Sequence, residues 1–274
     1  MLTGQHNMSL ADQISAIRRK AEARRATPVM SDSGALIALK FQRADEFCAE
    51  KGEEAEWLID GTIPIAGVVQ FFGGNNVGKS FLAVDLALRV VHGKNWGGRS
   101  STAGRVVYVA SEGVAGLRAR IRAWHQAHGL GVTRDLLIRT TTLGLCDSDQ
   151  KLFAQDCATA GASLVIIDTL TGNFGRGSEN DAGDMAAVIR ALRKISGRER
   201  AVLIIHHSGH TDRGRGRGYS SLADNADMIF KISRDDDAGL ITCDCTKARD
   251  CQRPPTARFT LSKVSDSAVV KYLP

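Results

Sequence analysis

Residues 71–81 read FFGGNNVGKSF, and this stretch decides the fold class of a chain of 274 residues. Four residues meet the pattern G-x4-G-K-S/T: Gly73, Gly78, Lys79 and Ser80. The apolar run GVVQFF precedes the motif and the helical pattern FLAVDLALRVV follows it, which is the strand, loop and helix context that the motif requires. Glycines let successive backbone N–H groups point at phosphate oxygens at the start of a helix. The stretch therefore predicts a phosphate-binding loop, or P-loop.

The P-loop supplies the predicted nucleotide-binding residues, which are Gly73, Gly74, Asn75, Asn76, Val77, Gly78, Lys79, Ser80 and Phe81. We expect the Lys79 ammonium to reach the β- and γ-phosphates of ATP, and the Ser80 hydroxyl to bind Mg²⁺. Asp168 ends the buried run LVIID and is the second predicted magnesium residue. The alternative for Asp168 is a helix cap or a solvated strand end. ATP and Mg²⁺ are thus the predicted ligands.

Four nearly continuous apolar runs indicate strands that are buried on both faces of a parallel sheet. They are GVVQFF (67–72), RVVYVA (105–110), SLVIID (163–168) and AVLIIH (201–206). Helical patterns lie between them at about 79–91, 112–128, 148–160 and 181–197. After residue 226 the helical patterns end and four short apolar runs remain. We therefore predict an α/β fold with a mostly parallel sheet, flanking helices and a C-terminal antiparallel β extension.

Residues 1–56 are predicted to form a helical and linker segment ahead of a main domain at 57–274. Residues 8–26, MSLADQISAIRRKAEARRA, place a narrow apolar stripe on a basic helix. The stretch 27–34 contains Pro and Gly and is typical of a linker. The stripe suits packing against a neighbouring subunit or against the helix's own domain, and the sequence favours neither.

Composition sets wide limits on partners and location. A formal net charge of +6 permits an anionic partner without requiring one. The six cysteines form no Cys-x-x-Cys pair and no zinc-like spacing, so we expect reduced thiols. No apolar run approaches the ~20 residues that a membrane-spanning helix needs. We expect a cytoplasmic protein with no membrane contact.

Glu112, in YVASEG, directly follows the second apolar run and is the candidate catalytic base. A carboxylate at this position can orient and deprotonate an attacking water. The alternative is a glutamate in the first turn of the next helix, where the helix dipole favours negative charge.

These stretches together resemble the RecA-like ATPases, and within them the small replicative helicases and helicase-like ATPases of plasmids and phages, the RepA type. The resemblance covers roughly residues 57–250 and rests on GGNNVGKSFLAVDLAL, VVYVASEGVAGLRARIRAW, LVIIDTLTGNFGRGSENDAGDM, VLIIHHSGH and RGYSSLADNADMIF. It implies a RecA-like P-loop NTPase fold and a catalytic Glu112, because Thr169 occupies the position after Asp168. The order and spacing of five motifs make it more specific than a P-loop alone.

The resemblance also implies a polar sensor of the γ-phosphate, and His206 and His207 occupy its place at the end of the fourth strand. The alternative is one core and one surface histidine. A Lys-x-Arg pair from a neighbouring subunit would contribute to catalysis, and Lys247 and Arg249 in CTKARD match it. Arg217 is a competing candidate, and a solvated basic strand end is the structural alternative.

Two loops are expected to contact single-stranded DNA, as in helicases of this type. The first is GNFGRGSENDAG (172–183), with Arg176 and with Phe174 as a stacking face; the second, GHTDRGRGRGYSS, carries Arg213, Arg215 and Arg217. Arginines on glycine-rich loops can each neutralise a phosphate while the loop follows the strand. The alternative for the second loop is a solvated linker.

The resemblance implies a homo-oligomer, a hexameric ring, that acts on single-stranded DNA in plasmid or phage replication as a helicase-like ATP hydrolase. A replication initiator or a primase is a possible partner, because the chain has no recognisable domain of either kind. Two alternatives stay open: a regulatory ATPase of the KaiC-like type, and a recombination mediator. Neither alternative requires unwinding.

Overall fold

The computed structural model describes residues 29–30, 36–37, 44, 56–147, 150–207 and 217–274. Contacts divide the chain into two units, Met1–Glu53 and Glu54–Pro274. In the first unit, strand β1 (Val29–Met30) pairs antiparallel with β2 (Leu36–Ile37). This short ladder differs from the helical and linker interpretation of the segment, and its β-branched residues Val29 and Ile37 suit a pleated strand. The predicted helix over 8–26 lies outside the described residues.

The second unit contains the α/β fold. Its described strands are β3 (Trp57–Ile59), β4 (Ile63–Pro64), β5 (Gly67–Gly73), β6 (Arg105–Ala110), β7 (Leu136–Arg139), β8 (Ala162–Asp168), β9 (Ala201–His207), β10 (Met228–Asp235), β11 (Leu240–Ala248), β12 (Ala257–Val264) and β13 (Ser267–Leu273). Its described helices are α1 (Lys79–Val91), α2 (Val114–His128), α3 (Gln150–Thr159), α4 (Leu170–Asn173), α5 (Ala182–Ser196) and α6 (Arg217–Asn225).

Nine of these described strands form one sheet in the order β13-β12-β11-β10-β5-β9-β8-β6-β7. Strands β5 to β9 pair in parallel, and β10 joins β5 in parallel before the chain turns antiparallel through β11, β12 and β13. The predicted fold class is therefore confirmed: a mostly parallel sheet, flanked by helices, with a C-terminal antiparallel extension.

The sheet is buried on both faces, which explains the unbroken apolar runs. Successive residues of β8 alternate between two hydrophobic clusters: Leu164 and Ile166 belong to one, Val165 and Ile167 to the other. Helices α1 and α2 cover the first face, and α3 and α5 cover the second. Each Å² of apolar surface removed from water stabilises the folded state by about 25 cal/mol, so burial of these two layers is the main stabilising contribution.

The parallel register brings four strand ends to one level. Gly73 pairs with His207 across β5 and β9, and Ala110 pairs with Asp168 across β6 and β8. Asp168 in turn pairs with Ile205 of β9. The residues that follow each of these strands therefore lie at the same edge of the sheet.

Besides the short strands β1 to β4, three described elements were not predicted from the sequence: β7, α4 and α6. Strand β7 is a four-residue edge strand, LLIR, and α4 is a single turn that directly follows Asp168 and Thr169. Helix α6 begins at Arg217, inside the stretch interpreted as a flexible Arg/Gly loop. Among the described residues, the structure contains no helix with the length and apolar character needed to cross a membrane.

Asp227, between α6 and β10, links three parts of the fold. Its carboxylate accepts hydrogen bonds from Val68 N at 2.8 Å, from Arg193 Nη1 at 2.7 Å and from Arg249 Nη1 at 3.1 Å. Val68 belongs to β5, Arg193 to α5, and Arg249 follows β11. The three bonds hold the amino end of the P-loop strand against its neighbours.

The variant Asp227→Ala should lower the free energy of unfolding by about 2–3 kcal/mol, because it leaves a backbone N–H and two guanidinium groups without their shared acceptor. The matched control is Asp156→Ala on the exposed face of α3, which should change stability by less than about 0.5 kcal/mol. Urea unfolding midpoints at constant m value measure both. Equal losses in the two variants would contradict the structural role of Asp227.

Candidate functional site

The P-loop connects β5 to α1 through a tight turn that requires glycine at two positions. A Cβ atom on Gly73 would lie 2.1 Å from the carbonyl oxygen of Ile232 in β10, so the neighbouring strand leaves no room for a side chain. Gly78 has φ +100°, a conformation that other residues rarely adopt. The two glycines let the backbone curl between β10 and the start of α1.

Helix α1 begins at Lys79 with no side-chain hydrogen bond at its amino terminus. The first N–H groups of a helix have no partner within the helix, and together they form the positive end of its dipole. The Ser80 hydroxyl lies in the first turn and lines the cavity at this end. This terminus can receive an anion.

Lys79 is buried and turns back onto the loop from which it emerges. Its Nζ donates to Gly73 O at 2.9 Å and to Gly74 O at 2.6 Å. Burial lowers the pKa of Lys79 to about 8, although the Asp168 carboxylate opposes the shift. The Lys79 ammonium is thus held by two backbone carbonyls of the P-loop.

A cavity of about 260 Å³ lies above the P-loop, lined by Asn76, Gly78, Lys79, Ser80, Phe81, Arg120, His207, Arg234 and Leu261. Arg120 of α2 lies over the Phe81 ring, with 4.4 Å between the guanidinium carbon and the ring centroid. Sequence reasoning missed Arg120, Arg234 and Leu261, because only the tertiary fold brings them to the motif. They add two cations and an apolar wall to the phosphate site.

Asp168 lies at the carboxyl end of β8, where its Oδ2 accepts a hydrogen bond from Tyr108 Oη at 2.7 Å. Tyr108 is buried in β6, and burial together with the Asp168 charge raises the pKa of its hydroxyl. Tyr108 therefore stays protonated and orients the carboxylate. Sequence reasoning missed Tyr108; the signal was a hydroxyl in an otherwise aliphatic buried strand, which needs a partner.

Glu112 is exposed in the turn between β6 and α2. The preceding residue, Ser111, donates its backbone N–H to Asp168 O at 3.1 Å, which ties the turn to the end of β8. The Glu112 and Asp168 carboxylates both act electrostatically on the His207 ring. Lys79 and His207 therefore line the cavity, and the Asp168 and Glu112 carboxylates lie near this pair.

The two histidines at the end of β9 face opposite sides of the sheet. His207 Nδ1 lies 3.3 Å from Lys79 Nζ, and His207 lines the cavity. Burial and then the Lys79 charge lower the pKa of His207, although Asp168 and Glu112 oppose this. Because an ammonium only donates, Nδ1 accepts, so the neutral ring carries its proton on Nε2.

His206 is 5% exposed and lies away from the cavity. Its Nδ1 is 3.3 Å from Gln70 Nε2 of β5, and its Nε2 is 3.2 Å from Glu179 Oε2 in the loop between α4 and α5. Sequence reasoning missed Gln70 and Glu179. A fully buried glutamine within the run GVVQFF was the visible signal, since a buried amide requires hydrogen-bond partners.

The candidate DNA-contacting residues are only partly described. Arg176 is exposed on the loop after α4. Phe174 is 3% exposed, because its ring packs in the second hydrophobic cluster. The expectation that Phe174 offers a stacking face to DNA was therefore wrong. Arg213 and Arg215 lie outside the described residues, and Arg217 is the first residue of α6, where only the backbone is described.

Lys247 and Arg249 lie apart from the P-loop cavity of their own chain. Lys247 Nζ donates to the carbonyl oxygens of Ala223 and Asp224, each at 2.8 Å, at the C-terminal end of α6. Arg249 donates to Asp224 O at 2.9 Å and to the Asp227 carboxylate at 3.1 Å. Both side chains therefore cap α6 in the single chain.

Comparison with known proteins identifies a family and a fold. Residues 36–213, more than half of the chain, match the family model AAA_25, described as an AAA domain. No curated protein matches the chain. The crystal structure of the RadB recombinase has a similar fold: it is 15% identical, covers 73% of this chain and 89% of its own, and gives a TM-score of 0.53.

The family match covers the P-loop, Glu112, Asp168 and both histidines at the end of β9. The chain belongs to the AAA_25 family of AAA domains, and its fold is RecA-like.

Proposed function

We propose that the protein is a Mg²⁺-dependent ATP hydrolase that couples turnover to movement on single-stranded DNA, as a helicase-like enzyme of plasmid or phage replication. The observation that carries the proposal is the pair Lys79 and His207 in the lining of the P-loop cavity, with the Asp168 and Glu112 carboxylates near this pair. These groups supply a phosphate ligand, a metal ligand, a base and a hydrogen-bond donor.

ATP phosphates fit the P-loop because its donors are already aimed at one place. The uncapped start of α1 and the nest of residues 73–80 can accept the phosphate charge. The Lys79 ammonium would exchange two carbonyl oxygens for phosphate oxygens. Arg120 and Arg234 add positive charge to the cavity walls. Phe81 and Asn76 also line the cavity, beside the glycines of the motif.

Ser80 and Asp168 would hold Mg²⁺ together with the phosphates. Among the described residues, no group of three or more His, Cys, Asp or Glu side chains could hold a metal by itself. This fits magnesium, which is commonly bound by one or two protein oxygens plus phosphates and waters. The ion would neutralise charge that develops on the transferred phosphoryl group. The Tyr108 hydroxyl keeps one Asp168 oxygen oriented.

Glu112 is the proposed base, and its exposed carboxylate leaves space for a water. His207 is the proposed γ-phosphate sensor, because its Nε2–H can donate to a phosphate oxygen while Nδ1 faces Lys79. His206 would act indirectly, through the adjacent His207, because its own contacts are with Gln70 and Glu179. Each role is a proposal for that side chain.

Lys247 and Arg249 are proposed to act on the nucleotide of a neighbouring subunit in a hexameric ring. To do so, Lys247 must release the Ala223 and Asp224 carbonyls, and Arg249 must release Asp224. Arg217 remains the competing candidate. Because both side chains are bonded within their own chain, they would become available to a neighbouring subunit only when α6 or the segment packed against it moves.

Single-stranded DNA is the proposed polymer, with Arg176, Arg213, Arg215 and Arg217 as phosphate contacts. The exposure of Arg176 and the net charge of +6 support this proposal. We further propose residues 57–274 as the ATPase domain and 1–56 as its attachment, a cytoplasmic location, and a replication initiator or primase as a loading partner.

The second candidate is a regulatory or recombination-type ATPase without unwinding activity. The similarity in fold to the RadB recombinase supports keeping it. Filaments on DNA in the presence of ATP would favour the recombination-type alternative over closed rings. Indifference to DNA would favour a regulatory switch.

Nucleotide binding should take up a proton above neutral pH. Burial lowers the pKa of Lys79 to about 8 in the ligand-free protein, and bound phosphates raise it. Affinity should therefore be greatest below pH 8 and fall roughly tenfold between pH 7 and pH 9. Calorimetry at pH 8.5 in two buffers of different ionisation enthalpy should give uptake of about 0.7 proton per nucleotide. Heats that do not depend on the buffer would contradict the prediction.

The variant Glu112→Gln should retain ATP binding and lose turnover by at least about 100-fold, because the amide cannot accept a proton from the attacking water. Steady-state phosphate release and the nucleotide Kd separate the two effects. Glu199→Gln, an exposed glutamate at the opposite end of β9, is the matched control and should behave like the wild type. A Glu112→Gln enzyme with full turnover would place the base elsewhere.

Single-stranded DNA should stimulate ATP turnover, and combined substitution of Arg213, Arg215 and Arg217 by Ala should abolish the stimulation while nucleotide binding is retained. Arg176→Ala should weaken DNA binding and reduce its salt dependence by about one counterion. The charge-matched control is Arg134→Ala, exposed before β7 at the other end of the sheet. If wild-type turnover is indifferent to single-stranded DNA, the helicase proposal fails and the ATPase assignment stands.

A further inference from the structure

At the end of β9, the consecutive residues His206 and His207 lie in two different environments. Side chains of consecutive strand residues point to opposite faces, so His206 and His207 cannot face the same partner. His207 lies 3.3 Å from the P-loop lysine, and His206 lies 3.2 Å from Glu179. A displacement of one histidine's main chain necessarily moves the other.

The His206 ring is fixed from both sides. The Glu179 carboxylate can only accept, so His206 Nε2 donates to it. On the other side of the ring, Gln70 Nε2 lies 3.3 Å from His206 Nδ1. The hydrogen bond from His206 lowers the pKa of Glu179 although burial opposes the shift, so the carboxylate is ionised at neutral pH. His206 and Gln70 are both buried.

Glu179 lies on the segment 174–181, which we call the α4–α5 loop, and this loop also carries the exposed Arg176. Two other contacts also hold the loop: Cys146 N donates to Phe174 O at 2.7 Å, and Ser178 N donates to Asp184 Oδ2 at 2.9 Å. Those partners belong to the segment before α3 and to α5. The Glu179 contact is different, because it joins the loop to the strand whose last residue faces the P-loop.

We propose that Glu179 is a positioning residue that couples the nucleotide state at His207 to the conformation of the α4–α5 loop. The inference rests on the proposed function, in which His207 senses the γ-phosphate and Arg176 contacts DNA. When His207 shifts towards a γ-phosphate, the end of β9 moves, and the His206–Glu179 hydrogen bond transmits that movement to the loop. The contact between Arg176 and DNA, and with it the affinity for DNA, then differs between the ATP and ADP states.

The coupling is read as a ratio of DNA affinities. The dissociation constant of a fluorescent oligothymidylate, measured by anisotropy, is compared in ADP and in a non-hydrolysable ATP analogue, both with Mg²⁺. Coupling free energies of the usual size correspond to ratios of about 5- to 150-fold. We expect at least about tenfold for the wild type and less than about twofold for Glu179→Ala.

Two further variants separate positioning from stability. Glu179→Gln keeps an oxygen that can accept from His206 Nε2, so it should retain most of the wild-type ratio. Glu199→Ala removes an exposed glutamate at the opposite end of β9 and should leave the ratio unchanged. A structural defect alone would weaken DNA binding equally in both nucleotide states, and the ratio would not move.

Hydrogen exchange of residues 174–181 tests the same coupling without DNA. Protection of this segment should differ between the ATP-analogue and ADP states of the wild type, and the difference should disappear in Glu179→Ala. If the oligonucleotide does not bind at all, the proposed function fails and the exchange measurement alone decides the coupling. A Glu179→Ala protein that keeps the wild-type affinity ratio, or the wild-type exchange difference, overturns the inference. So does a wild type without any nucleotide-dependent difference.

Discussion

Parallel pairing with a fixed register is the constraint on which the whole site depends. In such a ladder the carboxyl ends of neighbouring strands meet at one edge, and here Gly73 lies beside His207 while Ala110 lies beside Asp168. A slip of one residue in β9 would send His207 to the wrong face and His206 towards the P-loop. Burial of both sheet faces opposes that slip, because each slipped strand would misplace its apolar side chains.

The parts of the site that the sequence predicts are those encoded in short contiguous stretches. The P-loop is nine consecutive residues, and Glu112 and Asp168 each follow an apolar run that could be identified without the fold. Tyr108, Arg120 and Gln70 reach the site through strand pairing and helix packing, so their roles depend on contacts between distant segments. The sequence alone shows that the polar groups of Tyr108 and Gln70, within apolar runs, need partners, but it does not show which residues supply them.

The elements that were missed have physical reasons of the same kind. Strand β7 is four residues long at a sheet edge, and its run LLIR has no period long enough to identify. Helix α6 has the sequence RGYSSLADN, whose glycine and serines are poor helix formers, and the cations of Lys247 and Arg249 stabilise its C-terminal carbonyls from outside. Tertiary contacts thus compensate for weak local propensity, and they also give two predicted catalytic side chains a second role.

The hydrogen bonds from Lys79 to Gly73 and Gly74 have a consequence for ligand exchange. The Lys79 ammonium is not an unsatisfied cation, because it already has two acceptors inside the protein. Ligand entry is therefore a substitution reaction, in which an internal contact is broken for each one gained. The free energy of these two internal hydrogen bonds is therefore subtracted from the affinity of any ligand that takes their place.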